Sequence, residues 1–349
     1  MYELKNGILI HGGKKELAIG QSYYASYHPE KVPVPEGGDR LAEMRKDLKE
    51  MKREGFNLCR MASLGDIKRG DDGSVSLSFP LCDAFCALTE EEDMAAMVRL
   101  EGYSVNLGNY PDTDMVDENG KVMPFQWSWF VRCCLNHQGI LEDNRDATRE
   151  SARHYASFPS VVSFQIYNEP AYPSKGLYDY HPATIKAYQA FMRQKGVDYP
   201  IPHERPDAGE DPAPWISWRL FQQKRMNDFL CDLSLEAKAG YAKAETLTCY
   251  LGSPFKYGAA VRGCDYFRCA ETMDIVGITH YVPFRGPSFF QSSEILDGAE
   301  SAAASHGKHA WVIELNARTN IPPMEWERET YATLGRGYKG ILYYEWRVE

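Results

Sequence analysis

The feature that most constrains this chain is a rhythm. Eight short apolar runs, "ELAIGQSYY", "FNLCRMA", "YSVNLGNY", "VVSFQIYN", "ETLTCYLG", "MDIVGITHY", "HAWVIELN" and "GILYYEWR", alternate with helical patterns. Asp39, for example, precedes Leu41, Met44, Leu48 and Met51, spaced as one face of a helix that Gly55 closes. A second helical pattern runs through Met94, Met97 and Leu100, and others cover 143–157, 185–195 and 215–239. Eight strands alternating with helices predict parallel βα units, and at this number a closed (β/α)8 TIM barrel filling 1–349 as one catalytic domain. An open doubly wound sheet would carry a Gly-rich phosphate turn after the first strand, and no such turn is present.

Composition narrows the partners. A net charge of −10 over 349 residues argues against a nucleic-acid or anionic-membrane surface, and leaves a neutral glycoside or oligosaccharide as an acceptable substrate. The nine cysteines are odd in number and scattered, which reads as free thiols of a reducing compartment. Cys82 and Cys86 share a helix face, but no His or second pair accompanies them, so no metal is expected. No signal peptide or membrane span is visible, and the expectation is a cytoplasmic protein, with an oligomer possible and no cofactor needed.

In a barrel, the residues that end the strands line the active site. Here they are Tyr23 and Tyr24, Arg60, Asn106 and Asn109, Asn168 and Glu169, His280 and Tyr281, Glu314 and Asn316, and Glu345 and Trp346. Glu169 and Glu314 stand out because each follows a buried-type apolar run, where an idle carboxylate costs several kcal/mol. The fourth and seventh strands face each other across the mouth. Two carboxylates about 5 Å apart are what double-displacement glycoside hydrolysis requires, one as nucleophile and one as acid and then base. Arg60 and Tyr281 would keep the nucleophile ionised and Asn168 could hold a sugar hydroxyl. Trp346, with Tyr110, Trp127 and Trp129, could stack on a ring.

Each residue also has a plainer reading. A strand-end Glu can be an ion-pair partner, and Arg60 could be that partner. Asn109 is equally a turn residue, His280 a structural histidine, and Trp346 packing at the rim. Glu345 rivals the chosen pair but, by alternation, points away from the axis if Trp346 points in.

These residues together resemble the clan of retaining (β/α)8 glycoside hydrolases with Asn-Glu on the fourth strand and a nucleophilic Glu on the seventh. "YNEP" at 167–170, "WVIELN" at 311–316, "RM" at Arg60 and "THY" at 279–281 carry the likeness. Within the clan the chain resembles glycoside hydrolase family 42, the β-galactosidases, through "SYHPEKVP", "DLKEMKREGFNLCRM", "CDYFRCAETMDIVGITHYVP" and "GRGYKGILYYEWR". The resemblance implies Glu169 as acid/base and Glu314 as nucleophile. With the strand-end reading, the candidate substrate contacts are Arg60, Asn109, Asn168, His280, Tyr281 and Trp346.

The chain departs from that family in ways that bear on the sugar. Val32 stands where the family has Trp, the segment after the second strand reads "SLGDIKRGDDG", and the cysteine zinc cluster cannot be placed. A β-mannosidase, a β-glucosidase and an endo-acting β-glycanase of the same clan therefore remain open. So does a carbohydrate-binding barrel without catalysis. An aldolase-type barrel would want a strand-end Lys, and none is present.

Overall fold

The computed structural model describes residues 1–23, 38–101, 105–122, 131–173, 178–250, 262–281, 289–316 and 322–346. The chain opens with three antiparallel strands, β1 (Tyr2–Lys5), β2 (Ile8–His11) and β3 (Lys14–Glu16). Then come β4 (Ala18–Tyr23), α1 (Arg40–Arg53), β5 (Leu58–Ala62), the hairpin β6 (Asp66–Arg69) and β7 (Val75–Ser78), α2 (Pro80–Glu91) and β8 (Ala95–Arg99). α3 (Gln138–Tyr155), β9 (Val161–Asn168), α4 (Pro182–Gln194), α5 (Ala213–Gly240), β10 (Glu245–Tyr250), α6 (Tyr266–Thr272) and β11 (Ile275–His280) follow. The last elements are α7 (Phe289–Ala304), β12 (His309–Asn316), α8 (Pro323–Gly335) and β13 (Gly340–Trp346).

Eight strands close into a barrel in the order β4-β5-β8-β9-β10-β11-β12-β13, every neighbouring pair parallel. Parallel strands inside a ring of helices are covered on both faces, so they read as continuous apolar runs. β5, β8, β10 and β11 are buried at every residue. The helices obey their local signals. Asp39 caps α1 by accepting from the Leu41 amide at 2.9 Å, and Met44, Leu48 and Met51 form its buried stripe. Pro80 opens α2, where its missing N–H costs nothing.

The third strand lies earlier than its sequence pattern indicates. Met94, Met97 and Leu100 belong to or flank β8, with the helix ending before them at Glu91. In a strand buried on both faces, Met97 and Leu100 lie in a continuous apolar run whose spacing imitates a helix face. Asn106 and Asn109 consequently follow the barrel strand at a distance instead of ending it.

The three-stranded sheet floors the barrel. Tyr2, Leu4 and Leu9 pack with the inward side chains Leu58, Met97, Leu247, Ile275, Trp311 and Leu342. Trp311 Nε1 donates to the Gly7 carbonyl at 2.9 Å, and Glu245 accepts from the amides of Asn6 and Gly7. Gly340 faces the Trp311 indole so closely that a Cβ there would lie 2.1 Å from the ring. Only glycine fits.

All nine cysteines are free, eight of them buried. No helix among the described residues is long and apolar enough to cross a membrane, and no cluster of His, Cys, Asp or Glu among them could hold a metal ion.

Candidate active site

β9 delivers Glu169 and β12 delivers Glu314. Glu314 is 5% exposed and Glu169 is 9% exposed. Their surroundings differ in sign. Arg60 Nη2, from β5, donates to Glu314 Oε1 at 2.5 Å, and the Tyr281 hydroxyl donates to Oε2 at 2.7 Å. Both oxygens of Glu314 thus meet donors, one of them a cation. Burial and the charge of Glu314 raise the Tyr281 hydroxyl far above its ordinary range, so it stays a donor.

Glu169 is held the other way. Burial pushes its carboxyl up and the charge of Glu314 adds to the push. A hydrogen bond with Thr279 and the charges of Arg60 and Arg262 pull back, and the balance stands at about 8. At neutral pH this group carries a proton. Its backbone is constrained as well: the amide donates to the Cys249 carbonyl at 2.7 Å, and φ is +48°, the left-handed region that a non-glycine residue enters at a cost of roughly 1–3 kcal/mol.

A relay of side chains joins the two strands beneath the carboxylates. Arg60 Nη1 donates to Gln165 Oε1 at 3.0 Å and lies 3.9 Å from Cys249 Sγ. Gln165 Nε2 then donates to Asn168 Oδ1 at 3.0 Å. Asn168 is therefore oriented through Gln165 and Arg60 from the same guanidinium that grips Glu314. Tyr344, near the end of β13, meets the Tyr281 ring edge-on at 6.2 Å.

Glu169, Glu314, Arg60, Asn168 and Tyr281 are brought together, whereas three other residues named from the sequence lie elsewhere. His280 is 1% exposed and faces the helical layer, where Nε2 lies 2.9 Å from Glu329 Oε2 of α8. Strand alternation explains it: Thr279 and Tyr281 reach inward, so the residue between them reaches outward. Trp346 meets Phe56 edge-on at 6.4 Å and packs against the core between barrel and helices. The pairing of β13 with β4 slips between Tyr343 and Trp346, which breaks the alternation that would have turned the indole inward. Asn109 is exposed in a turn at φ +50° that is hooked to α3 by the Gly108 amide donating to Asp143 at 2.8 Å.

Among the remaining aromatics, Tyr110 stands beside His137 with ring centroids 5.5 Å apart, and the Tyr23 hydroxyl donates outward to Asp47 at 2.8 Å. Tyr24, Trp127, Trp129 and all of "SYHPEKVP" lie outside the described residues.

Gln165, Thr279, Tyr344 and Arg262 were not anticipated. Gln165 had a readable signal, a polar residue within an apolar strand four positions before Glu169. Arg262 lies in a connecting segment, where nothing in the local pattern points to it.

The chain matches no protein-family model and no curated protein sequence. Its fold does have counterparts. A β-galactosidase from the psychrophilic Marinomonas ef1 superposes with a TM-score of 0.72 at 14% identity, covering 95% of this chain and 54% of that one. The barrel shares its fold with that glycosidase. A family 42 β-galactosidase from G. stearothermophilus gives a TM-score of 0.68 at 12% identity over 95% of this chain and 51% of its own. The catalytic domain of a β-amylase from Paenibacillus polymyxa gives 0.67 at 13% identity, over 94% and 92%. At such identities the likeness is one of fold. The chain spans about half the length of the β-galactosidases it matches.

Proposed function

We propose that this barrel is a retaining β-glycoside hydrolase acting on a terminal β-linked sugar, of β-galactosidase type. One observation carries the reading: two buried carboxyls at the ends of β9 and β12 keep different company, Glu314 accepting from Arg60 and Tyr281 on its two oxygens, and Glu169 pushed toward the acid by burial. A nucleophile and a general acid call for surroundings of these two kinds.

In the first step the Glu314 carboxylate attacks the anomeric carbon as the bond to the leaving oxygen breaks, and the Glu169 proton passes to that oxygen. A glycosyl ester on Glu314 results. Glu169, now an anion, takes a proton from water as the water oxygen attacks the same carbon. Glu314 is released and Glu169 again holds a proton. Two inversions at one carbon retain its configuration. Asn168, oriented by Gln165, is placed to hold a hydroxyl of the sugar, and Tyr344 offers a ring beside Tyr281.

The test is hydrolysis of nitrophenyl β-glycosides of galactose, mannose, glucose, xylose and glucuronic acid by the wild type, Glu169→Gln and Glu314→Gln. Turnover lost in both variants, with a β-configured first product by NMR, supports the reading. Turnover surviving Glu314→Gln would sink it.

A further inference from the structure

One cation near the carboxylates has no described partner. Arg262 is half-buried, its Nε is covered without an acceptor, and among the described residues no hydrogen bond or ion pair reaches its guanidinium. The backbone around it is fixed against the segment that follows Glu169. The Tyr172 amide donates to the Arg262 carbonyl at 3.0 Å, and Cys264 Sγ donates to the Pro170 carbonyl at 2.8 Å. Gly263, at φ +81°, lies so close under the Tyr172 ring that a Cβ would come within 2.8 Å. Arg262 is thereby pinned next to the acid end of the site.

Among the described residues the charges near it do not balance. Arg60 is matched by Glu314, and Glu169 holds a proton at neutral pH, so among these groups Arg262 leaves a surplus positive charge inside a protein of net charge −10. A partly desolvated guanidinium without an anion is costly. Its position is also unhelpful to a general acid, because a nearby cation draws the Glu169 proton off. Both difficulties disappear if an anion arrives with the ligand: it would neutralise Arg262 and let Glu169 hold its proton more firmly in the complex. A carboxylate suits the planar guanidinium, which pairs with it through two parallel hydrogen bonds.

We propose that Arg262 determines specificity by pairing with the carboxylate of a uronic acid bound at the Glu169 end of the site, which makes acidic saccharides the substrate class. The proposal rests on the glycosidase reading for turnover, though not for binding. Calorimetric titration of glucuronate and galacturonate against glucose and galactose tests it on the wild type, Arg262→Gln and Arg262→Lys. The Arg262 side chain bears no described structural bond, so both variants should fold, and melting curves check this.

A uronate should bind about tenfold or more tightly than its neutral counterpart, lose that advantage in Arg262→Gln, and recover part of it in Arg262→Lys. Equal binding of acid and neutral sugars would overturn the proposal, as would a preference that survives Arg262→Gln. A sulfated sugar bound as tightly as the uronate through Arg262 would overturn the carboxylate assignment. Uronate binding through Arg262 with no glycoside hydrolysed would sustain this proposal and remove the hydrolase reading. Hydrolysis of neutral glycosides by a wild type that binds uronates no more tightly than neutral sugars would do the reverse.

Discussion

His280 and Tyr281 are consecutive in the chain yet act on opposite sides of the barrel wall: the Tyr281 hydroxyl donates inward to Glu314 at 2.7 Å, and the His280 ring lies outward, 2.9 Å from Glu329. Their variants should separate accordingly. Tyr281→Phe removes one of the two described donors on Glu314 and should lower kcat on the order of 10- to 100-fold with the melting temperature little changed. A loss under threefold would mean that Arg60 alone orders Glu314.

Burial works against ionisation of Glu329, but hydrogen bonds from His280 and Arg328 outweigh it and hold the carboxyl at about 2. Its folded value is depressed, so its contribution is present above pH 4.5 and is lost as pH falls toward 2. Glu329→Gln should destabilise the protein by about 1–3 kcal/mol at pH 7 and by little near pH 2, while KM stays within a factor of two. Chemical denaturation across that range, beside steady-state kinetics, reads both. A large rise in KM would return His280 to the substrate.

The proton on Glu169 sets the alkaline limb of activity. With its carboxyl at about 8, kcat/KM should fall tenfold per pH unit above that value. Burial is the larger cause and Glu314 the second, so Glu314→Gln should lower the Glu169 value without returning it to the ordinary range. Carbon NMR of labelled glutamate in the variant measures this directly, and an unmoved resonance would show that the two carboxyls do not interact.

Stability carries the same signature. A carboxyl raised from 4.5 to about 8 contributes fully below pH 4.5, and the contribution is lost as pH rises to 8. Glu169→Gln has no proton to lose there. The variant should melt higher than the wild type at pH 8.5 by more than at pH 5, a difference worth on the order of a few kcal/mol. Parallel melting curves would contradict the shifted value.

Tyr344, which the sequence did not single out, stands beside Tyr281 where Trp346 was expected to offer its ring. Trp346→Ala should cost about 2–3 kcal/mol of stability with KM unchanged, since its ring packs against Phe56. Tyr344→Ala should raise KM, since its ring adjoins Tyr281. Kinetics and denaturation of the two variants, run together, would expose a reversal.

The legible part of this protein was the part written in strand ends. Arg60, Asn168, Glu169, Tyr281 and Glu314 each interrupt or follow an apolar run, and a charge so placed has few idle explanations. Two kinds of error remained. β8 was missed because a strand buried on both faces loses the alternation that distinguishes it from a helix. His280 was misplaced because alternation turns it outward between Thr279 and Tyr281, and Trp346 because its facing depends on register, which slips between β13 and β4. Arg262 was invisible for a third reason. Its significance lies in the lack of a partner among the described residues, which only three dimensions reveal.

The floor sheet bears on how the barrel assembles. Gly7 is fastened to Glu245 and Trp311, residues 238 and 304 positions away along the chain. The fastening of the floor at Gly7 therefore cannot be completed until β10 and β12 have taken their places, and contacts of that span are slow to form. Until then the apolar interior beneath the carboxylates lacks those anchors against water from below.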